Sequence, residues 1–207
     1  MKDINLFFKK IIIDKSELLL DYQPDENWRD YFNPLGGEWE YKDGWLIGTE
    51  RGNKGGIMFT KDYYEDNVML SFTVKTALPA TRDLNAIVCG HWNEETDYLG
   101  EAYICGLNGW FEGKSGIERH RKRPRALNSL YKYTPGEEIH MTFGAIDGYL
   151  FMVVDDVLVC ELEDPDFLKG GHVGFSPYST RLMIKDIQVR KIYHEPLLQS
   201  YEPEFDD

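Results

Sequence analysis

Short runs of alternating apolar and polar residues fill most of the chain, the pattern of β-strands with one buried face. In Val68–Lys75, for example, Val68, Leu70 and Phe72 would point to one side and the residues between them to the other. Turn signals separate these runs at regular spacing, which is typical of a β-sandwich or barrel. The pattern predicts roughly a dozen strands.

Local turn chemistry sharpens this prediction. Asp43-Gly44 centres a hairpin over Glu38–Ile47, and Asp147-Gly148 and Asp155-Asp156 divide residues 139–162 into a three-stranded meander. Further strands are predicted over Asn85–Trp92, Glu101–Leu107, Ile117–Lys122, Gly171–Ser176 and Leu182–Ile192. A helix is predicted only before Tyr22, with one short turn over Asp164–Leu168.

Length and composition fit one domain. The 207 residues, 42% of them hydrophobic and 29% charged, suit a single all-β unit. We therefore expect one domain over 1–207 with its core at about 28–192, flanked by the N-terminal segment and an acidic tail. The tail from Tyr193 is expected to be a strap across the sandwich or partly disordered.

Charge and cysteine content restrict the partners and the compartment. The net charge of −13 argues against nucleic acid and anionic membranes as partners, because both are polyanions. Charged residues interrupt the apolar N-terminus, so neither a signal peptide nor a membrane span is predicted. Cys89, Cys105 and Cys160 lie in apolar runs and are expected to be buried reduced thiols, which favours the cytoplasm.

Three segments carry a family resemblance. Trp39–Gly48 is similar to the opening hairpin of many concanavalin A-like glucanase and lectin domains. Gly148–Val159 resembles their later hairpin, with Asp155-Asp156 in place of Asn-Gly. Gly170–Phe175 together with Lys185–Val189 looks like their closing strand pair.

The resemblance implies a two-sheet antiparallel jelly-roll β-sandwich with a carbohydrate cleft on one curved sheet. Within the superfamily, the chain looks most like bacterial 3-keto-disaccharide hydrolase-like domains and small YesU-type proteins of sugar-utilisation clusters. The E-x-D-x-x-E motif of family 16 glucanases is absent, which argues against retaining endoglucanase chemistry. The superfamily also contains non-catalytic binders, so the fold does not choose the function.

Side chains alternate between the two faces of a strand, a property that we call strand parity. This property suggests a first group of site residues. Asn85 and His91 share one strand face, Glu101 and Tyr103 share another, and adjacent strands would present all four together. The resemblance maps Asn85 and Glu101 onto family positions, with His91 near an Arg position and Tyr103 at a Gln position. Glu101 would be the acid or base and His91 its partner, because burial raises a carboxyl pKa. The alternatives are a solvent-facing Glu101 and a structural His91.

Two loops add aromatic candidates for stacking on a sugar ring. Trp92 lies in the polar segment 91–98, and Trp110 lies between glycines in 108–113. The alternative interpretations are a solvated hairpin and a tryptophan tucked into the core.

Residues 118–125 concentrate positive charge in an otherwise acidic chain. Parity places either Glu118 and His120 or Arg119 and Arg121 on the cleft side, and Glu118 with His120 suits proton transfer better. Arg119 or Arg121 would hold an acidic group of the ligand. A charged edge strand that prevents aggregation is the alternative.

No metal site is predicted, because the five histidines show no ligand spacing. No cofactor is expected either, although acidic turns leave a structural calcium ion open.

Three functions follow from these observations. The first is a cytosolic glycoside hydrolase or lyase for small sugars, oxidised or acidic ones included, with Glu101, Glu118 and His91 as acid/base groups. The second is a galectin-like binding module without catalysis. The third is a partner subunit of another enzyme. The expected ligand is a small saccharide or glycoside.

Overall fold

The computed structural model describes residues 2–50, 55–65, 67–110 and 113–197. Nearly all regular structure in these ranges is β-strand, and the helical residues form two single 3-10 turns, Ile13–Lys15 and Trp28–Asp30. The prediction of an all-β sandwich is confirmed.

Twenty strands are described in these ranges. They are β1 (Ile4–Asn5), β2 (Lys9–Ile11), β3 (Glu17–Tyr22), β4 (Phe32–Pro34), β5 (Glu38–Lys42), β6 (Trp45–Thr49), β7 (Met58–Thr60), β8 (Val68–Thr76), β9 (Leu84–Gly90), β10 (Trp92–Asn93), β11 (Tyr98–Leu99), β12 (Tyr103–Trp110), β13 (Lys114–Arg119), β14 (Arg125–Asn128), β15 (Ile139–Ile146), β16 (Tyr149–Val154), β17 (Val157–Glu163), β18 (His172–Phe175), β19 (Arg181–Lys191) and β20 (His194–Pro196).

Two large antiparallel sheets form the sandwich. The seven-stranded sheet has the order β14-β13-β12-β9-β18-β7-β4. The eight-stranded sheet has the order β17-β16-β15-β8-β19-β6-β5, and β3 pairs with β19 beside this path. The chain crosses between the sheets after β3, β4, β6, β7, β8, β14, β17 and β18, so that sequence neighbours often lie in opposite layers.

The predicted hairpins are present because their turn residues adopt the required backbone. Asp43 and Gly44, Asp147 and Gly148, and Asp155 and Asp156 all have positive φ angles. Type I′ turns need this conformation at both central positions, and their twist matches that of the strands they join. The meander β15-β16-β17 follows directly.

The main core fills the space between the inner faces of the two sheets. Phe72 of β8 meets Phe175 of β18 edge to face, with ring centroids 5.0 Å apart. The three cysteines are buried free thiols, as predicted.

The N-terminal segment is strand and not the predicted helix. β1, β2 and β20 form a small third sheet, and Ile4, Ile11 and Ile13 pack against Phe151 of the eight-stranded sheet. Burial of these side chains outweighs local helix propensity. The pairing of β20 with β2 makes the start of the tail a strap, while residues 198–207 lie outside the described ranges.

No helix in the described part of the chain is long and apolar enough to span a membrane.

Candidate functional site

A cleft lies on the outer face of the seven-stranded sheet, over β9, β12 and β13. Antiparallel pairing puts Asn85, Gly106 and Gly116 in one row across these strands, and Ile87, Ile104 and Glu118 in the next. Because side chains alternate, these rows face outward, and the residues between them face the core.

The β10–β11 hairpin folds back over this outer face. Ile87 and Ile104 join Ile57 and Leu99 in a separate apolar cluster that is covered by partly buried aromatic residues. The hairpin thereby divides the face into two recesses. The cleft, of about 260 Å³, is bordered by polar and aromatic residues: Asp83, Asn85, Tyr98, Trp110, Glu118, His120, Ser176 and Tyr178. The second recess contains Asn33, Lys61, His91, Trp92 and His172.

Glu118 and Trp110 are locked together at one side of the cleft. The indole Nε1 of Trp110 donates a hydrogen bond of 3.0 Å to Glu118 Oε2. The guanidinium of Arg125 on β14 lies 2.5 Å from the same oxygen. Both partners fix the position of the carboxylate.

His120 lies beside Glu118 as a neutral imidazole. Burial and the nearby charge of Arg121 lower its pKa to about 4. Its Nε2 is buried and has no hydrogen-bond partner among the described residues, and its ring stacks on that of Tyr98 with centroids 6.1 Å apart. At neutral pH such a ring can exchange hydrogen bonds with an uncharged ligand.

Asp83 is the unusual acid of the cleft. Burial raises its pKa to about 6, although Arg82 Nε lies 3.3 Å from Asp83 Oδ2 and a side-chain hydrogen bond to Asn85 acts in the opposite direction. A carboxyl group with such a pKa in a cleft is characteristic of functional sites.

Four of the sequence-predicted site residues border this cleft. Of the two pairs allowed by parity, Glu118 and His120 border the cleft, as preferred. Asn85 and Trp110 border it too. Their roles in binding or catalysis stay predictions.

Tyr103 does not reach the cleft. The expectation that it shares a face with Asn85 is wrong, because Tyr103 pairs with Val88 and both point into the core. Its hydroxyl donates to Asp164 Oδ2 at 2.7 Å and accepts from the Leu168 amide. Tyr103 therefore connects β12 to residues Asp164 and Leu168 inside the sandwich.

Glu101 and Arg119 also lie apart from the cleft-lining residues. Glu101 precedes β12, and its Oε1 is 2.6 Å from Lys122 Nζ and 3.0 Å from Arg119 Nη2. These hydrogen bonds lower the pKa of Glu101, the opposite of what a general acid requires. Arg119 is buried and also binds Asp164, so it is engaged within the protein.

His91 and Trp92 border the second recess. Cys89 has a positive φ angle and turns into the core, because the pairing of β9 with β18 shifts register there. The regular alternation of side chains that the sequence predicts from Asn85 to His91 is therefore interrupted at Cys89. Its Nε2 lies 3.2 Å from the Gly170 carbonyl, and the four residues Asn85, His91, Glu101 and Tyr103 are not brought together.

Arg121 lies at the rim of the cleft. Its guanidinium is 4.6 Å from the centre of the Tyr98 ring. With Lys122, Arg123 and Arg125 it lines a surface depression, which we call the basic lip.

Sequence reasoning missed Asp83, Tyr98 and Tyr178. Asp83 could have been found by parity, because it stands two residues before Asn85. The two tyrosines lie outside long strands, where alternation carries no signal. Within the described ranges, no group of three or more His, Cys, Asp or Glu side chains is placed to hold a metal ion.

Comparison with known proteins identifies the fold. No family model and no curated protein matches the chain. Among solved structures, it is similar to a Bacillus subtilis protein of unknown function with a galectin-like fold, with a TM-score of 0.65, 11% identity and coverage of 85% of this chain and 96% of the other.

Two further structures share the fold. The carbohydrate-binding module CBM66 of Bacillus subtilis has a TM-score of 0.59 at 12% identity, covering 77% of this chain and 94% of its own. β-Agarase B of Zobellia galactanivorans has a TM-score of 0.58 at 9% identity, covering 86% and 94%. The fold is thus the galectin-like jelly roll that binding modules and glycoside hydrolases both use.

The buried acid makes a testable contribution to stability. Since the folded pKa of Asp83 is above its ordinary value of 3.8, the unfolded chain ionises first as the pH rises, and Asp83 lowers stability progressively between about pH 4 and 6. D83N removes this effect. The difference in unfolding free energy between D83N and the parent protein should therefore increase by about 2 kcal/mol between pH 4.5 and 7.5.

Urea unfolding at the two pH values measures this difference. The pH-dependent contribution of His120 to stability has the opposite sign, but it is common to both proteins and cancels in the difference. A difference that is independent of pH would show that Asp83 ionises normally.

Proposed function

We propose that the cleft binds a short saccharide. The observation that carries this proposal is the convergence of Trp110, Glu118, His120 and Asp83 on one small cleft beside the rings of Tyr98 and Tyr178. Protein sites for small ligands combine apolar walls with a few well-placed polar groups.

The chemistry of the walls supports a sugar. Aromatic faces pack against the C–H faces of pyranose rings, while the phenol O–H of a tyrosine remains available at the edge. Trp110, Tyr98 and Tyr178 offer such surfaces, and Glu118 and His120 offer hydrogen-bond partners for hydroxyl groups. The shared jelly roll with CBM66 and β-agarase B is consistent with this use, but at 9–12% identity it supports the fold alone.

The basic lip favours an acidic saccharide. Arg121 and Arg123 make no ion pair with a carboxylate of the described residues, whereas Lys122 and Arg125 are paired with Glu101 and Glu118. A chain with net charge −13 that keeps two such arginines beside a cleft is suited to a uronate or another anionic sugar.

The wider setting belongs to the same proposal. The sequence resemblance to 3-keto-disaccharide hydrolase-like and YesU-type domains supports a role in bacterial sugar utilisation. The three buried free thiols suit the cytoplasm, where disulfides are rare.

Cleavage of the bound sugar is a second candidate function. Asp83 and Glu118 are two carboxyl groups of one cleft in different surroundings, the arrangement that separates an acid from a base. In hydrolysis, Asp83 would give its proton to the leaving oxygen as the glycosidic C–O bond breaks. Glu118 would take a proton from the water whose oxygen bonds to the anomeric carbon.

Mass spectrometry of oligosaccharides incubated with the protein tests this candidate. Products should form with the parent protein and be reduced at least a hundredfold with E118Q, whose fold should be retained. Equal product formation by E118Q would remove Glu118 from the chemistry, and no product from any substrate would leave binding as the function.

Saccharide binding is tested with matched pairs of oligosaccharides. Each pair consists of a trimer of galacturonate, glucuronate or mannuronate and its carboxyl-reduced neutral counterpart, titrated by calorimetry. W110A should weaken binding of the best ligand at least tenfold, because it removes a stacking surface and a partner of Glu118. W45A, a tryptophan exchange on the other sheet, should bind within twofold of the parent protein. Equal binding by W110A would place the site elsewhere.

The preference for acidic sugars has its own test. R121Q/R123Q should lose about tenfold in affinity for the acidic member of the best pair and less than twofold for the neutral member. R181Q, an exposed arginine outside the cleft, should change neither. Equal losses for both members would mean that the lip does not recognise the ligand's charge.

A further inference from the structure

Two oxygen atoms converge at the end of the cleft formed by β9 and β12. Asp83 precedes β9 and Asn85 lies within it, on the same face. A Cβ added to Gly109 would lie 2.2 Å from Asp83 Oδ1 and 3.8 Å from Asn85 Oδ1. One added to Gly106 would lie 1.9 Å from Asn85 Oδ1. Both polar side chains therefore reach across β12 at positions where any larger residue would displace them.

The orientation of the Asn85 amide follows from its neighbour. A carboxylate only accepts hydrogen bonds, so the amide nitrogen of Asn85 is the group that bonds to Asp83. The amide oxygen then points toward Gly106, where it is buried and has no hydrogen-bond partner in the described ranges of the chain. Asn85 as a whole is 6% exposed. An acceptor left unsatisfied in this way is unfavourable, and a ligand donor would relieve it.

Trp110 controls access to this oxygen. The Cζ3 atom of its indole lies 3.0 Å from the Cβ position of Gly106, over the same space. The side chain of Asp83 is 9% exposed and is reached first. A ligand group that binds Asn85 Oδ1 would have to displace the edge of the indole.

We propose that Asp83 and Asn85 form a hydroxyl-binding subsite of the saccharide cleft, kept open by Gly106 and Gly109 and covered by Trp110. The subsite rests on the proposed saccharide function. Its ligand group is a sugar hydroxyl, which donates to the acceptor oxygens of both side chains. A carboxylate or sulfate group of the ligand is rejected here, because Asp83 carries the same charge, and is directed toward the basic lip.

The subsite makes affinity depend on pH. A hydroxyl that donates to Asp83 stabilises its charged form, so binding should strengthen as the pH rises through about 6. The charged groups that act on Asp83 are Arg82, which lowers its pKa, and Glu50, which raises it. His120 stays neutral above its pKa of about 4, so it contributes little to the change.

The experiment measures affinity for the best-binding trimer of the matched pairs at pH 5 and 7.5, using the full chain. The parent protein should bind severalfold more tightly at pH 7.5. D83N should lose about tenfold at pH 7.5 and show no pH dependence, because its amide does not titrate. G109A, which leaves both polar residues in place but occupies the position of the Asp83 oxygen, should lose a similar factor. N85A should lose about threefold or more.

N33A is the control, since Asn33 lies on the same sheet in the second recess and should bind within twofold of the parent. Thermal unfolding of each variant checks that the fold is retained. D83N and G109A would contradict the proposed subsite if they bound with the affinity and pH dependence of the parent protein while W110A lost binding. That result would still support a saccharide site in the cleft. Failure of the parent protein to bind any trimer would overturn both.

Discussion

The register of β9, β12 and β13 is the constraint on which the site depends. Antiparallel pairing sets Asn85 against Gly106 and Ile104 against Glu118, so polar groups and glycines share the outer face while Val88, Tyr103 and Arg119 share the inner one. A slip of one residue would exchange the two faces completely. The inner face prevents it, because Tyr103 and Arg119 both bind Asp164 inside the sandwich.

Charged residues of similar type have different roles on the two sides of this sheet. Glu101 and Arg119 pair with one another and stabilise the end of the sandwich. Asp83 is buried with weak compensation and destabilises the fold once it ionises. Proteins retain such unfavourable groups where function requires them. The contrast distinguishes Asp83, which borders the cleft at a cost to stability, from Glu101, which is paired within the fold and which the sequence alone favoured.

Local chemistry made the fold predictable, whereas the site depended on long-range pairing. The hairpins at Asp43-Gly44 and Asp147-Gly148 follow from turn residues, and parity separated Glu118 and His120, which border the cleft, from Arg119, which is buried. Parity cannot align one strand with the next, so Tyr103 was placed on the wrong face. It also fails at a bulge, as at Cys89, and this misplaced His91. The N-terminal strands form because a neighbouring sheet offers Phe151 and Met69 for burial, which no local pattern reveals.

The β10–β11 hairpin has a consequence for the size of the ligand. An uncovered curved sheet would let a polymer lie across it from edge to edge, whereas here Leu99 and Trp92 cover the middle of that path. A long glycan would meet a wall and could enter only by its terminus. The amount of sugar bound would then depend on the number of chain ends in a sample and not on its mass. Depolymerised material would therefore saturate the protein more fully than the same weight of intact polymer.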